Sequence, residues 1–208
     1  MSDQLKSEKT KGGQKKLVFV VFGPQGCGKS TQVARLAEAQ KLRVFEAGEV
    51  LRQMSLGDEE IHKAVSQGKL ISAVKMLEIV KSEIESKHDL VGYIFDGYPR
   101  DAGQFSDFET LARQNNWLVA GIFINLSDES AKTRLASRYS LVNGKRIVRQ
   151  DDLPQVVQKR LRTFREVTLP LKAKFKEEFT LLAIDGEPTV DEVTAEINDA
   201  VDRFLGVA

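Results

Sequence analysis

The feature of this sequence that most constrains its fold is a glycine-rich segment at residues 23–30, which directly follows a short apolar run. The segment, GPQGCGKS, matches the pattern G-x-x-x-x-G-K-[ST] of a phosphate-binding loop. The apolar run at residues 17–22 predicts a buried strand, and apolar residues recur with helical spacing after the loop. A strand, a glycine loop and a helix in this order predict the start of a βαβ unit that binds a nucleoside triphosphate. A glycine turn that only joins a strand to a helix is the less favoured alternative.

Several residues of this loop are candidates for contacts with the nucleotide. Lys29 is placed to reach the β- and γ-phosphates, and Ser30 or Thr31 can contact Mg²⁺ or a phosphate oxygen. Cys27 lies inside the loop, and its side chain is interpreted as a small filler. The glycines that let the loop backbone curl around the phosphates are Gly23, Gly26 and Gly28.

Further apolar runs alternate with helical patterns along the rest of the chain. We predict additional strands at residues 42–45, 92–95, 118–124 and 181–184. This alternation is typical of a parallel sheet with helices on both faces. Asn143-Gly144 between apolar pairs predicts a small β-hairpin, and Pro170 is expected to kink a long helix. The last helix is predicted to begin at a capping box formed by Thr189 and Glu192.

Composition narrows the class of protein. With 208 residues the chain is expected to form one domain, preceded by a disordered, Lys-rich tail at residues 1–16. The formal net charge of +1 argues against binding of nucleic acid or an anionic membrane by bulk charge. A single cysteine rules out an intrachain disulfide framework and a cysteine-rich zinc site. No apolar run approaches the ~20 residues of a membrane span, and the N-terminus lacks an apolar signal region, so we expect a cytoplasmic protein.

The arginines indicate what could receive the phosphate. Phosphoryl transfer between two nucleotides gathers several phosphates whose charge must be cancelled while water is kept out. The arginines that stand in or near the ends of predicted elements are Arg52, Arg100, Arg134, Arg138, Arg149 and Arg160. Asp96 ends a predicted central strand, where a carboxylate that orients Mg²⁺ belongs. Together with the loop, these residues favour a site that bridges two nucleotides.

At these motifs the sequence resembles the adenylate kinase, or nucleoside monophosphate kinase, family over about residues 17–205. Besides the loop, the similar segments are Ala47-Gly-Glu-Val-Leu-Arg52, Asp96-Gly-Tyr-Pro-Arg100 with Gln104, the spaced series Arg134, Arg138, Arg149-Gln-Asp151-Asp152 and Arg160, and Asp185-Gly-Glu-Pro188. The resemblance implies a three-layer α/β/α fold of the P-loop NTPase class with a five-stranded parallel sheet. It also implies a domain spanning residues 17–208, with its core at 17–45, 88–137 and 150–208. An acceptor-binding lobe would occupy residues 46–87, and a short hairpin lid residues 138–149.

The resemblance also implies roles for individual residues. Arg52 and Arg100 would hold the acceptor's α-phosphate, and Gln104 would hydrogen-bond the acceptor base. Asp96, with Ser30, would hold Mg²⁺, mainly through water. The residues expected to clamp the donor phosphates and the transferring group are Lys29, Arg138, Arg149 and Arg160. Arg134 and Glu187 are expected beside the donor base. Gly48, Gly97 and Ile71 are expected to line the acceptor pocket, with Ile71 in the turn that begins at Gly68. Asp151 and Asp152 are expected to position the lid arginines.

The resemblance leads us to expect a monomeric enzyme that transfers the γ-phosphate of ATP to AMP with Mg²⁺ and without structural zinc.

Some residues depart from the family pattern. Ser30 and Glu49 stand where the family usually has Gly and Asp, and Ala47 is typical of UMP/CMP kinases rather than adenylate kinases. Because Gln104 resembles the adenine-reading residue, AMP is favoured, and UMP/CMP or another monophosphate stays the alternative. A nucleotide-binding module without turnover is the alternative from another class. ATP and GTP are not distinguished as donors.

Overall fold

The computed structural model describes residues 15–67, 69–85, 91–137, 140–142, 145–147 and 154–207. Its strands are β1 (Leu17–Phe22), β2 (Arg43–Glu46), β3 (Gly92–Asp96), β4 (Leu118–Asn125), β5 (Ser140–Val142), β6 (Lys145–Ile147) and β7 (Thr180–Asp185). Its α-helices are α1 (Lys29–Gln40), α2 (Ala47–Met54), α3 (Glu59–Ser66), α4 (Ala73–Glu85), α5 (Ala102–Gln114), α6 (Asp128–Ala136), α7 (Pro154–Thr163), α8 (Leu171–Glu178) and α9 (Val190–Leu205). A π-helical turn, Phe164–Thr168, lies between α7 and α8.

The central sheet has five strands, all parallel, in the order β2-β3-β1-β4-β7. The predicted parallel sheet with surrounding helices is therefore confirmed. Because β1 is the middle strand, its carboxyl end and the loop that follows lie between the ends of β3 and β4. Ligands of open parallel sheets bind at this edge, beyond the carboxyl ends of the strands.

Side-chain alternation along β1 builds a core layer on each face of the sheet. Val18, Val20 and Phe22 join a layer rich in aromatic residues, which includes side chains from α5 and α8. Phe19 and Val21 point to the other layer, which includes side chains from α1 and α9. Successive residues of a strand face opposite sides, so a strand buried on both faces must be apolar throughout. This explains the continuous apolar run before the phosphate loop.

The predicted kink near Pro170 takes the form of a local change in helix type. The N–H of Leu169 donates to the carbonyl of Phe164, five residues earlier, at 2.7 Å. Pro170 itself stands at the start of α8, where its missing N–H removes no helical hydrogen bond. The helical segment is thus divided before the proline is reached.

The hairpin predicted around Asn143-Gly144 is confirmed in its strands. β5 and β6 pair antiparallel, with Val142 opposite Lys145, and the Asn-Gly pair between them lies outside the described residues. The capping box of α9 is also confirmed, with the side chain of each partner bonded to the backbone N–H of the other. Within the described residues, no helix is both long and apolar enough to cross a membrane.

Candidate active site

The phosphate loop joins β1 to α1 and has the backbone geometry that its glycines predict. Gly26 and Gly28 have φ of 86° and 89°, in the region that residues with a Cβ rarely adopt. A Cβ on Gly23 would lie 2.5 Å from the carbonyl oxygen of Ile124, so the loop must pass close to β4. The loop therefore requires glycine at three positions for steric reasons.

Lys29 lies at the first position of α1 and its ammonium group folds back over the loop. Its Nζ donates to the carbonyl oxygens of Gly23 at 2.8 Å and Pro24 at 3.0 Å. Its Nζ also lies 3.8 Å from Sγ of Cys27, whose side chain is buried. The ammonium is thus held over the concave backbone that would receive a phosphate.

Asp96 ends β3 beside this loop and is 7% exposed. Burial is the largest influence on its carboxyl group and raises its pKa above the usual range. The charges of Lys29 and Arg100 oppose that shift of the pKa. A hydrogen bond with Ser30 opposes it as well, while the charge of Glu46 adds to it. A partly desolvated carboxylate that faces two cations and a hydroxyl is suited to orient a hydrated divalent ion.

Arg100 lies just beyond the end of β3, and its side chain is partly exposed to solvent. Its Nε donates to the carbonyl oxygen of Gly97 at 2.8 Å. Gly97 has φ of 79°, and a Cβ there would lie 2.6 Å from the guanidinium. Desolvation by the surrounding protein atoms lowers the pKa of Arg100. The charge of Asp96 raises this pKa, and the charge of Arg160 lowers it. Two of the predicted phosphate-binding arginines therefore lie close enough for the charge of one to affect the pKa of the other.

Gln104 is 1% exposed and lies in the first turn of α5. Its Oε1 accepts a hydrogen bond from the backbone N–H of Arg100 at 2.9 Å. The backbone N–H of Gln104 donates to the Asp101 side chain. Because the backbone N–H must face the oxygen of the amide, the orientation of this side chain is fixed. Its NH₂ group is then the part of the amide able to donate to a ligand.

Arg52 lies on α2 and is paired with two carboxylates in this structure. Its Nη2 lies 2.7 Å from Oε2 of Glu49 and 3.4 Å from Oε1 of Glu46. The bond to Glu49 raises the pKa of Arg52 and lowers that of Glu49. The Arg52 side chain is half exposed, so these pairs are weak. To bind a phosphate, Arg52 must exchange these carboxylates for the new anion.

Arg134 on α6 holds the loop that follows β7. Its guanidinium donates to the carbonyl oxygens of Gly186 at 2.8 Å and Glu187 at 2.9 Å. The Glu187 carboxylate accepts from the N–H of Ser127 at 2.8 Å, and such bonds, chiefly with Ser130 and Ser127, lower its pKa. The two residues predicted beside the donor base are thus brought together across 53 positions of sequence.

A pocket of 310 Å³ lies beside the loop, and Arg134 and Gly186 are among its lining residues. Its walls are Gly26, Cys27, Gly28, Thr31, Gln32, Arg134, Gly186, Pro188, Thr189, Val190 and Val193. The lining of the pocket therefore combines the phosphate loop with the start of α9. A second cleft, of 330 Å³, lies between β4 and the π-helical turn and includes Glu187.

The remaining predicted residues differ in how well the structure places them. Gly48 lies on α2, where a Cβ would be 3.3 Å from Arg52, and Ile71 is a buried core residue before α4. Arg160 lies on α7 with its charge close to Arg100. The predicted site residues that lie outside the described residues are Gly68, Arg138, Arg149, Asp151 and Asp152.

Sequence reasoning missed contacts that depend on distant partners. It did not anticipate the carboxylate of Glu46 beside Arg52, or the buried amide of Gln32 between α1 and α9. The position of Gln32 directly after the loop motif was the available signal. Its partners, more than 150 residues away, could not be read from that pattern.

Comparison with known proteins agrees with this geometry. A family model described as adenylate kinase matches residues 21–180. The adenylate kinase of Agrobacterium fabrum is 32% identical over 193 residues, covering 90% of this chain and 96% of that protein. Adenylate kinases of Parvibaculum lavamentivorans and Bacteroides thetaiotaomicron are each 32% identical, covering 91% and 90% of this chain and 92% and 100% of those proteins. The chain belongs to the adenylate kinase family.

The family match spans the phosphate loop, the strand end with Asp96 and the helix with Arg160, and stops before the segment that contains Gly186.

Adenylate kinase family membership implies Mg²⁺, and the residues present fit a hydrated ion. Asp96 and Ser30 share a hydrogen bond at the edge of the sheet, beside the loop. Phosphate oxygens bound in that loop would complete the coordination shell of the ion. Among the described residues, no group of three or more His, Cys, Asp or Glu side chains could hold a metal ion.

Proposed function

We propose that this protein catalyses the reversible, Mg²⁺-dependent transfer of the γ-phosphate of ATP to AMP, giving two ADP. The observation that carries the proposal is the convergence of Lys29, Asp96 and Arg100 at the carboxyl edge of the sheet, beside the phosphate loop. The names of the related enzymes supply AMP as the acceptor. Bound Mg²⁺ would neutralise phosphate charge, with Asp96 and Ser30 as its holders.

The protein's own groups would act by positioning and by charge. The loop N–H groups and Lys29 would hold the β- and γ-phosphates of the donor in the α1 N-terminus. Arg100 and Arg52 would hold the acceptor phosphate, whose oxygen is already anionic and needs no general base. Arg160 would stabilise the transferring group from α7, and we assign the same task to Arg138 and Arg149, which lie outside the described residues.

The fixed orientation of Gln104 supports AMP over some other acceptors. Because its Oε1 is bonded to Arg100, the amide presents N–H donors to a ligand. A donor fits the unprotonated ring nitrogen of adenine or cytosine, whereas guanine and uracil carry an N–H at the corresponding position. The side chain therefore favours AMP and CMP over GMP and UMP. Ala47, buried at the start of α2, supports CMP as the second candidate acceptor.

The experiment that tests this proposal is diphosphate formation from Mg·ATP with AMP, CMP, UMP, GMP or dAMP, each in a separate assay. We expect the highest kcat/KM with AMP. A preference for CMP would transfer the assignment to the second candidate. Absence of turnover with all five acceptors, despite tight ATP binding, would refute the kinase proposal in favour of a binding module.

Lys29→Ala tests the phosphate loop itself. Loss of the ammonium removes transition-state charge stabilisation worth several kcal/mol, so we expect kcat to fall by on the order of 100-fold or more. The matched control is Lys176→Ala on the exposed side of α8, which should keep normal turnover. Steady-state kinetics together with circular dichroism check the prediction. Wild-type turnover in a folded Lys29 variant would remove Lys29 from the mechanism.

A further inference from the structure

The donor pocket is built from segments far apart in sequence. The phosphate loop, with Gln32 in the first turn of α1, forms one wall of the pocket, and a second wall is formed by Gly186, Pro188, Thr189, Val190 and Val193. A nucleoside triphosphate must place its phosphates on the first wall and its base against the second. The distance between α1 and the start of α9 therefore decides whether base and phosphates bind together.

Gln32 is the buried polar residue that joins these walls. It is 4% exposed, its Nε2 donates to the carbonyl oxygen of Val190 at 3.0 Å, and its Oε1 accepts from the hydroxyl of Thr194 at 2.8 Å. Arg35, one turn further along α1, donates to the same hydroxyl at 2.8 Å and to Asp191 at 2.6 Å. Both polar ends of the Gln32 amide are thus bonded to the first turn of α9.

The apolar contacts between α1 and α9 do not fix this geometry in the same way. Val33 and Leu36 pack with Val193 and Ile197 in one core layer, and burial of such side chains supplies most of the stability of the interface. Apolar packing is not directional, whereas a hydrogen bond depends on distance and angle. The amide is therefore suited to set position, while the apolar residues supply cohesion.

We propose that Gln32 is a positioning residue for the donor site, which fixes the base wall relative to the phosphate loop through Val190 and Thr194. This inference rests on the proposed function in one respect, since it takes the 310 Å³ pocket as the site of the donor base. Gln32 acts through α9 and is not itself placed in contact with the reacting atoms. Its effect should accordingly appear with a complete nucleotide and vanish with a ligand that has no base.

The test compares binding of ATP and of inorganic tripolyphosphate, measured by calorimetry, in the wild type and in Gln32→Leu and Thr194→Val. Tripolyphosphate occupies only the loop wall. We expect each variant to weaken ATP binding by about ten-fold, the loss of a buried hydrogen bond of roughly 1.4 kcal/mol, and to leave tripolyphosphate binding within two-fold. In the double variant the losses should not add, because both substitutions break one network.

The matched control is Thr110→Val on α5. The Thr110 hydroxyl donates to the carbonyl oxygen of Ser106, four residues earlier, at 2.9 Å, as the Thr194 hydroxyl does to that of Val190 at 2.8 Å. This control variant should change neither binding constant. Equal weakening of both ligands by Gln32→Leu would overturn the inference, because the residue would then only support the loop. Unchanged ATP binding in both variants would overturn it too. Failure of the proposed function is separate, since it would appear as absent phosphoryl transfer in the wild type.

Discussion

At the scale of single residues, Arg100 depends on the glycine three positions before it. The Arg100 guanidinium lies against Gly97, with its Nε bonded to the Gly97 carbonyl oxygen, so the side chain occupies the space of a missing Cβ. The backbone there also has a positive φ. Both conditions have to hold for the arginine to face the acceptor phosphate.

Gly97→Ala is therefore expected to harm both fold and function. The unfavourable φ should cost about 1–3 kcal/mol, and displacement of Arg100 should raise the KM for AMP and lower kcat. Urea denaturation and steady-state kinetics measure these effects. Gly57→Ala serves as the control, because a Cβ at Gly57 has no atom within 4 Å and its φ is not positive. Equal, small effects of the two substitutions would refute the proposed contact.

Asp96 shows a conflict between stability and function. Its pKa is raised in the folded state, chiefly by burial, so folding favours the protonated form. The resulting contribution to stability is fully present below the unfolded pKa and is lost as the pH rises through the folded pKa. Above the folded pKa, the ionised carboxylate therefore destabilises the ligand-free protein.

We predict that Asp96→Asn raises the Tm of the ligand-free protein at pH 7 and lowers Mg²⁺-dependent turnover by on the order of 100-fold. The difference in Tm from the wild type should narrow as the pH falls towards about 4, the unperturbed pKa of Asp. Thermal unfolding between pH 4 and pH 8 gives the measurement. A variant less stable than the wild type at pH 7 would show that the carboxylate stabilises the fold.

At the scale of elements, most boundaries could be predicted because they depend on neighbours in sequence. The five sheet strands and the capping box of α9 follow from apolar runs and from one Thr–Glu spacing. The π-helical turn before Pro170 could not be located, since its position depends on how Phe164 packs against β4. Helices α2 and α3, each only 8 residues long, were likewise not foreseen individually.

Thr189→Ala tests the element that forms one wall of the donor pocket. The Thr189 side chain accepts from the N–H of Glu192, and removal of such a cap destabilises a helix by about 1 kcal/mol. We expect that loss in urea denaturation, with a modest rise in the KM for ATP because Thr189 also lines the pocket. Ser66→Ala, at the end of α3, should change neither quantity. No loss of stability in Thr189→Ala would show that the cap is dispensable.

At the scale of the whole molecule, the end of α3 is tied to α7. Nζ of Lys159 donates to the carbonyl oxygen of Gln67 at 2.9 Å, between residues 92 positions apart. Lys159 directly precedes Arg160, which would contact the transferring phosphate. This hydrogen bond therefore fixes the end of α3 relative to the helix that carries Arg160.

Lys159→Met removes this tie and keeps most of the side-chain volume. An exposed hydrogen bond contributes no more than about 1 kcal/mol, so we expect the KM for AMP to change by up to about five-fold. ATP binding should change less than AMP binding, because the lining of the 310 Å³ donor pocket includes no residue of α7. Lys81→Met on the exposed face of α4 is the control. A change in ATP affinity instead of AMP affinity would contradict the assignment.

The sequence by itself determined the phosphate loop and the positions of the five sheet strands along the chain. It also identified Lys29, Asp96 and Arg100 as candidate site residues. These depend on short patterns whose chemistry is complete within a few residues. Tertiary structure alone decided the partners of Gln32 and Arg134, because each bonds a backbone carbonyl more than 50 positions away. A polar side chain takes whichever partner the packed elements bring within hydrogen-bond distance, and that choice is made only when the chain has folded.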